Sequence, residues 1–326
     1  MSRTIGFTTT IPVEVIFAGG YIPCDLNNIF ITDPDPMRYI ERAERDGFPK
    51  SMCNWIKGIY GVVMEKAVDA VITVMEGDCS NTQALAEIFR YKGIRTIPFS
   101  YPYDRDKSVL AREIEKLMIE LGVEGEALAG VEKEIEGVRS DLALIDRMTW
   151  KERRVTGAEN HLWLVRASDM LGDHRKYQRM AEEFLKEAED RQEIEGINIG
   201  YIGVPPILLD IYDFIGSVGG HVLYNETQRQ FSLPFAGNDI VERYLSYTYP
   251  YGVFARLTDI GEEIVRRDIK GIVHYVQAFC FRAIEDVILS ETIGVPILTI
   301  EGDLPRALDT RTKLRIEAFI EMLQQK

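Results

Sequence analysis

The chain is poor in cysteine, with only four among 326 residues, at positions 24, 53, 79 and 280. So few and so widely spaced cysteines are not typical of a small secreted domain that depends on disulfides. Long apolar runs are lacking too, since no stretch approaches the roughly 18 apolar residues of a transmembrane helix. The N-terminal residues MSRTIGFTTTIPVEV lack the unbroken apolar core of a signal peptide. We therefore expect a cytoplasmic protein without structural disulfides.

Basic residues are also scarce relative to acidic ones, 38 against 52, which gives a formal net charge of -14. A chain this acidic has no general attraction for nucleic acids or for anionic membranes. Several motifs are absent from the sequence: G-x-x-x-x-G-K-S/T, H-E-x-x-H and C-x-x-C. Gly216-Ser217-Val218-Gly219 has the wrong spacing for a nucleophile elbow. The chain is therefore not expected to bind ATP through a phosphate loop, nor to be a zinc peptidase or a serine hydrolase of those types.

What the sequence does contain is an alternation of apolar strands and amphipathic helices, in two blocks. The runs at 68–75 and 94–98 in the first block, and 271–276 and 295–300 in the second, have the length and branching of buried parallel strands, and INIGYIGVPP, from Ile197, is interpreted as a strand and a turn. Strand–helix–strand order favours an α/β fold with parallel sheets. We predict an N-terminal α/β lobe at 1–107, a helical segment at 108–195 and a C-terminal α/β lobe at 196–326.

The middle segment is predicted to be helical because apolar residues alternate at spacings of three and four, which is the helical period. The residues that carry this pattern are Leu128, Val131, Ile135, Val138, Leu142 and Ile145. No catalytic signature accompanies them, so amphipathic helices with solvated faces are the better interpretation.

Three of the cysteines follow strands or begin helices. Cys79 follows the strand at 68–75 at the start of a helix, Cys280 follows the strand at 271–276, and Cys53 lies at the start of the helix predicted at 53–66. Ligands of open α/β sheets bind beyond the carboxyl ends of the strands. Positions from both blocks could therefore converge on one cleft.

Helix starts suit thiolates and the clusters that thiolates hold. Their free N–H groups and the helix dipole favour anions, and they lower the pKa of a cysteine. An iron–sulfur cluster bound by thiolates carries negative charge and accepts N–H hydrogen bonds at its sulfurs. The alternative stays open that these are small buried apolar residues, because scattered cysteines have no spacing signature.

With these cysteines placed, the sequence resembles the 2-hydroxyacyl-CoA dehydratase and benzoyl-CoA reductase family. The segments that carry the resemblance are IPVEVIFAGGYIP at 11–23, Cys53 with Lys57, Tyr60 and Gly61, VDAVITVMEGDCSNTQALAEIF at 68–89, GIVHYVQAFC at 271–280, GVPILTIEGD at 294–303 and TRTKLRIEAFIEML at 310–323. They span most of the chain in the order found in the family.

The resemblance implies two flavodoxin-like α/β lobes and a 4Fe–4S cluster with Cys53, Cys79 and Cys280 as ligands. It also implies a homo- or heterodimer, an ATP-dependent activator that injects a low-potential electron, and an anaerobic way of life. Substrates of the family are CoA thioesters, dehydrated through a ketyl radical or reduced, while a side branch carries a double-cubane 8Fe–9S cluster and reduces small molecules.

Cys24 stands where the family has an apolar residue, and it is either a fourth cluster ligand or a buried thiol at the end of a strand. Glu14 matches a glutamate of the family and is a catalytic candidate, whereas a charge favoured at the N-terminus of a helix is the alternative explanation.

Three functions remain open at this point. The first is an iron–sulfur enzyme or subunit whose three cysteines leave one iron open to substrate. The second is a non-catalytic electron-transfer or scaffold subunit. The third is an α/β protein without a cluster that binds an anionic metabolite.

Overall fold

A computed structural model describes residues 3–66, 68–235, 237 and 239–325. The chain divides into two compact units, and each combines separate stretches of sequence. The first comprises Met1–Ser140, Arg166–Met180 and Leu233–Gly252. The second comprises Asp141–Val165, Ala181–Ser232 and Val253–Lys326. The organisation predicted from the sequence, with segments at 1–107, 108–195 and 196–326, stays a prediction.

The first half of the chain begins as α/β and continues as helices. Its elements are β1 (Thr4–Phe7), α1 (Val13–Ala18), β2 (Ile22–Asp25), α2 (Leu26–Thr32), α3 (Met37–Arg45), α4 (Asn54–Glu65), β3 (Ala70–Glu76), α5 (Asn81–Tyr91), β4 (Thr96–Ser100), α6 (Lys107–Leu121), α7 (Gly125–Trp150), α8 (Gly157–Val165), 3₁₀ turns at Arg166–Ser168 and Met170–Gly172, and α9 (His174–Glu189).

The second half returns to alternating strands and helices. Its elements are β5 (Ile197–Gly203), α10 (Ile211–Ser217), β6 (Gly220–Asn225), α11 (Glu226–Phe231), α12 (Ile240–Ser246), α13 (Val253–Arg266), β7 (Gly271–Gln277), a 3₁₀ turn at Phe281–Glu285, α14 (Asp286–Thr292), β8 (Ile297–Gly302) and α15 (Thr310–Gln324).

Each unit contains one four-stranded sheet, and the strand pairs are all parallel. The strand order is β2-β1-β3-β4 in the first sheet and β6-β5-β7-β8 in the second. In both, the chain starts at an inner strand, adds one neighbour and then crosses to the other side. This is the arrangement of two flavodoxin-like lobes, and the predicted α/β fold class is confirmed.

The helices predicted in the middle of the chain are also confirmed. In α7, the side chains of Ile135, Val138, Leu142 and Ile145 have no exposed surface, as their spacing predicted. Helices α2, α11 and α12 were not predicted from the sequence, and Cys280 is followed by a 3₁₀ turn before α14 begins.

A close contact between α3 and α4 depends on Gly61. A Cβ atom at this position would lie 2.3 Å from the carbonyl oxygen of Tyr39 and 2.5 Å from its Cα, both of which are backbone atoms. The two helices could accept a side chain only by moving apart. Gly130, in α7, has no atom within 4 Å of the corresponding position.

We predict opposite effects of alanine at these two helical glycines. Gly61→Ala should lower the free energy of unfolding by about 2–3 kcal/mol, because overpacking against backbone outweighs the better helix propensity. Gly130→Ala should raise it by up to about 1 kcal/mol. Urea unfolding followed by circular dichroism measures both, and equal stability of the two variants would contradict the close contact.

Candidate functional site

All four strands of a parallel sheet end at the same edge, and two of the residues predicted to be functional, Cys79 and Cys280, follow these ends. In the first unit, Asp25 ends β2 and Glu76 ends β3, with Cys79 three residues further on. In the second unit, Gln277 ends β7 and Cys280 follows it by three residues. All four cysteines of the chain are thiols.

Cys79 lies in a tight turn between β3 and α5. Gly77 makes this turn possible for two reasons: its φ is +90°, and a Cβ there would lie 2.8 Å from the Cβ of Tyr101 and 2.9 Å from that of Pro250. The N–H of Thr82 donates to the carbonyl of Cys79 at 2.9 Å. Helix α5 begins at once, and its N-cap residue makes no side-chain capping bond.

Cys53 is the N-cap of α4, is 6% exposed and provides no side-chain capping bond. Helix α4 is fixed by the family-like residues that follow. The buried Nζ of Lys57 donates to Glu44 Oε1 at 2.9 Å and to the carbonyl of Lys50 at 3.0 Å. Tyr60 donates its phenol hydrogen to Asp46 Oδ2 at 2.7 Å. These residues hold the helix that carries Cys53.

Cys280 is the N-cap of the 3₁₀ turn Phe281–Glu285, again without a side-chain capping bond. Its N–H donates to the carbonyl of Gln277 at 3.0 Å, and the N–H of Ala283 donates to the carbonyl of Cys280 at 3.1 Å. The preceding residue, Phe279, has a φ of 64°. A bulky side chain in this left-handed region costs about 1–3 kcal/mol, and the surrounding structure must hold it there.

Cys24 lies within β2 and directly precedes Asp25, the N-cap of α2, whose side chain accepts the N–H of Asn27. Burial raises the pKa of its thiol to about 12, and the nearby carboxyl groups of Asp169 and Asp25 add to this. A cysteine in this environment stays protonated, whereas cluster ligation needs the thiolate. The surroundings of Cys24 therefore disfavour a role as a ligand.

Asp25 and Asp169 form a buried carboxyl pair at the end of β2. The backbone N–H of Asp25 donates to Asp169 Oδ2 at 2.9 Å, and Ser168 donates its hydroxyl hydrogen to Asp25 Oδ2 at 2.6 Å. Burial raises the pKa of Asp169 to about 7, with a second contribution from the charge of Asp25. The sequence carried no signal for this pair, because its members are 144 residues apart.

Glu14, the weak catalytic candidate, is completely buried near the start of α1. It forms an ion pair with Arg139 and accepts a hydrogen bond from the phenol of Tyr244 at 2.9 Å. Although burial opposes ionisation, Arg139 holds the pKa of Glu14 below its usual value. The carboxylate is thus committed to internal partners, and its proposed catalytic role stays a prediction.

The carboxyl edge of the second sheet carries buried polar side chains that sequence reasoning missed. Helix α11, with the sequence ETQRQF, has every residue buried. Glu226, its first residue, accepts the N–H of Gly203 at 2.9 Å and both Nε and Nη2 of Arg256, at 2.6 and 2.9 Å. Only its place directly after a strand could have marked this polar segment as buried.

A small cleft of about 130 Å³ lies where β8 ends and α15 begins. Its lining includes Leu208, Asp303, Arg306, Asp309 and Thr312. Pockets that enclose drug-sized ligands have volumes of about 300–1,000 Å³. By itself, this cleft is too small to enclose a CoA thioester.

Among the described residues, the structure gathers no group of three or more His, Cys, Asp or Glu side chains that could hold a metal ion. Cys53 and Cys79 belong to the first unit and Cys280 to the second. Each is placed as the sequence predicted, after a strand or at a helix start, but their assembly into one site is not tested.

The chain matches the model of a known family over residues 8–323, nearly its whole length. That family is described as 2-hydroxyglutaryl-CoA dehydratase, D-component. The chain belongs to this family. A search of curated proteins found no match to the chain. Within the part of the chain that the structure describes, no helix is long and apolar enough to cross a membrane.

We predict that the raised pKa of Asp169 makes the first unit less stable as the pH rises. Its pKa is about 7 in the folded chain and about 3.9 in the unfolded chain, so the folded state binds the proton more tightly. Stability is lost as the pH rises from about 4 to 7, by about 4 kcal/mol in total. Asp169→Asn, which mimics the protonated acid, should remove this loss.

The variant should therefore exceed the parent in unfolding free energy at pH 8 and match it near pH 4. Urea titrations across this range measure the difference. Asp190→Asn, at an exposed position, is the matched control and should change little at any pH. A pH-independent effect of Asp169→Asn would contradict the raised pKa.

Proposed function

We propose that this member of the family is an iron–sulfur component of a 2-hydroxyacyl-CoA dehydratase-like system, with Cys53, Cys79 and Cys280 as ligands of a 4Fe–4S cluster. The observation that carries this function is the position of the three cysteines. Cys53 and Cys280 are the N-caps of helical elements and Cys79 directly precedes the N-cap of α5, and none of these three N-cap residues makes a side-chain capping bond. Family membership over residues 8–323 supports the same function.

The donor set fits such a cluster chemically. Thiolates are the usual protein ligands of iron–sulfur clusters, and N–H groups at helix starts stabilise both the thiolate and the charged cluster. Asp106 and Asp309 show the alternative use of such N–H groups, since each carboxylate accepts N–H hydrogen bonds at the start of its helix. At the three cysteine positions, by contrast, the N-cap residue makes no side-chain capping bond.

Three ligands rather than four are proposed because the environment of Cys24 favours the protonated thiol. A 4Fe–4S cluster held by three cysteines would supply a low-potential electron and one open iron position. Cys53, Cys79 and Cys280 would bind it, and the helix N–H groups would orient it and influence its potential. A double-cubane 8Fe–9S cluster is the alternative cofactor.

A CoA thioester, or a small molecule that is reduced, is the proposed substrate class, with dehydration as the reaction the family description favours. A homo- or heterodimer is proposed as the assembly, as in the resemblance described above. Anaerobic growth and a cytoplasmic location remain predictions from sequence.

A separate ATP-dependent activator is the proposed electron donor, because the sequence contains no phosphate loop of its own. A surface suited to a partner lies beside Cys280. The apolar side chains of Phe279, Phe281, Ile284 and Val287 are all exposed there. Apolar groups exposed together on a soluble protein commonly mark an interaction surface.

We expect cluster loading to distinguish the three proposed cysteine ligands from Cys24. Anaerobic reconstitution should yield about four irons per chain together with visible charge-transfer absorbance. Cys53→Ser, Cys79→Ser and Cys280→Ser should each abolish that absorbance, and the matched control Cys24→Ser should leave it nearly intact. Iron and sulfide quantification with absorbance spectra on the four variants measures this.

The outcomes separate the three functions. Equal loss in all four variants would point to four-cysteine ligation and an electron-transfer or scaffold subunit. Near-zero iron in the parent protein would leave an α/β protein that binds an anionic metabolite.

We also expect the reconstituted protein to be inactive alone. Turnover should require the activator and ATP, because radical dehydration needs an electron of low potential. Anaerobic titration with dithionite, with and without the activator and ATP, measures this requirement. Full reduction and turnover with dithionite alone, at the potential of an ordinary ferredoxin, would contradict the need for an ATPase.

A further inference from the structure

The turn that carries Cys280 is tied down at its far end by two consecutive acidic residues. Glu285, the last residue of the 3₁₀ turn, pairs with Nη1 of Arg256 from α13. Asp286 accepts Nδ1–H of His274, from β7, at 2.7 Å and the hydroxyl hydrogen of Thr299, from β8, at 2.7 Å. The turn is therefore connected to three other elements of the second unit.

Arg256 itself is held rigidly, and its guanidinium is almost completely buried. Its fork to Glu226 is bidentate, and Glu226 is fixed in turn by the N–H of Gly203. Gly203 cannot be replaced without strain, because its φ is +96° and a Cβ there would lie 2.1 Å from the carbonyl oxygen of Tyr275. The ends of β5 and β6 thus fix Arg256, and Arg256 fixes Glu285.

A tie of this kind is needed because the near end of the turn is strained. The φ of 64° at Phe279 persists only if the contacts around it hold the backbone in place. Phe279 is exposed and contributes little packing of its own. The neighbouring polar contacts must therefore supply the restraint.

We propose that Arg256, acting through Glu285, is a positioning residue for Cys280. It holds the strained turn so that the thiol and the N–H groups of the 3₁₀ turn keep one geometry for the proposed cluster. The role of this restraint toward a cluster rests on the proposed function. The restraint on the turn is a property of the chain itself and is measurable without iron.

The direct test is hydrogen exchange on the protein without iron. Glu285→Ala removes the tie to Arg256 together with the Arg282–Glu285 pair within the turn, and leaves the Arg256–Glu226 fork intact. Arg256→Met removes the tie and the fork but keeps the Arg282–Glu285 pair. In each variant, the amides of Cys280 and Ala283 should exchange at least about fivefold faster than in the parent. Glu285→Gln keeps an oxygen that accepts from Arg256, so it should restore most of the protection.

Arg267→Met is the matched control, because Arg267 is equally buried in the same unit and pairs with Asp146 and Glu263 rather than with the turn. It should leave the two amides within about twofold of the parent. An unchanged exchange rate in Glu285→Ala, or an equal increase in Arg267→Met, would overturn the proposed restraint. If Arg256→Met does not fold, Arg282→Ala decides, because it removes the pair within the turn and keeps the tie to Arg256: exchange that stays near the parent rate assigns the effect of Glu285→Ala to Arg256, and an equal increase overturns the proposal.

Iron release provides the second readout. In reconstituted protein, Glu285→Ala should lose iron to a chelator about fivefold faster than the parent, and Glu285→Gln should lie close to the parent. Faster exchange with unchanged iron release would overturn the role of Arg256 toward the cluster. A parent protein that takes up no iron would overturn the proposed function, while the exchange experiment would still decide whether Arg256 restrains the turn.

Discussion

The parallel pairing of the strands is the constraint from which the rest of the structure follows. Parallel neighbours need a crossover, and here the crossovers are helices, so helix starts collect at the edge where strands end. The helix N-termini at that edge present backbone N–H groups and the positive ends of the helix dipoles, independently of the side chains there. Cys79 and Cys280 are candidate ligands because the topology places them at such edges. Cys24 lies at a strand end too, but there the side chain of Asp25 caps the helix that follows.

The strands and the positions of Cys53, Cys79 and Cys280 were predictable because they depend on local signals. A run of apolar and β-branched residues such as AVITV in β3 is typical of a buried parallel strand, and its residues are buried. Partners distant in sequence were not predictable. Asp169 reaches Asp25 across 144 residues, and Arg139 reaches Glu14 across 125, with no pattern in the sequence connecting either pair.

Buried charge in this protein follows two different rules. Glu14, Lys57 and Glu226 each have an opposite charge and further hydrogen bonds, which offset the loss of hydration. Asp169 has only polar groups and another acid close by, so it retains a proton near neutral pH instead. The first rule explains how polar helices such as α11 become core, and the second why the end of β2 is sensitive to pH.

The polar network around Arg256 also has a consequence during synthesis. Arg256 follows Glu226 by 30 residues, and Glu285 follows Arg256 by another 29. At about 5–20 residues per second, the carboxylate of Glu226 waits seconds for the opposite charge of Arg256, and as long again before Glu285 completes the network. Until Arg256 is made, Glu226 lacks the ion pair that offsets the loss of its hydration. The polar network at this edge of the second sheet is therefore complete only when nearly the whole chain has been made.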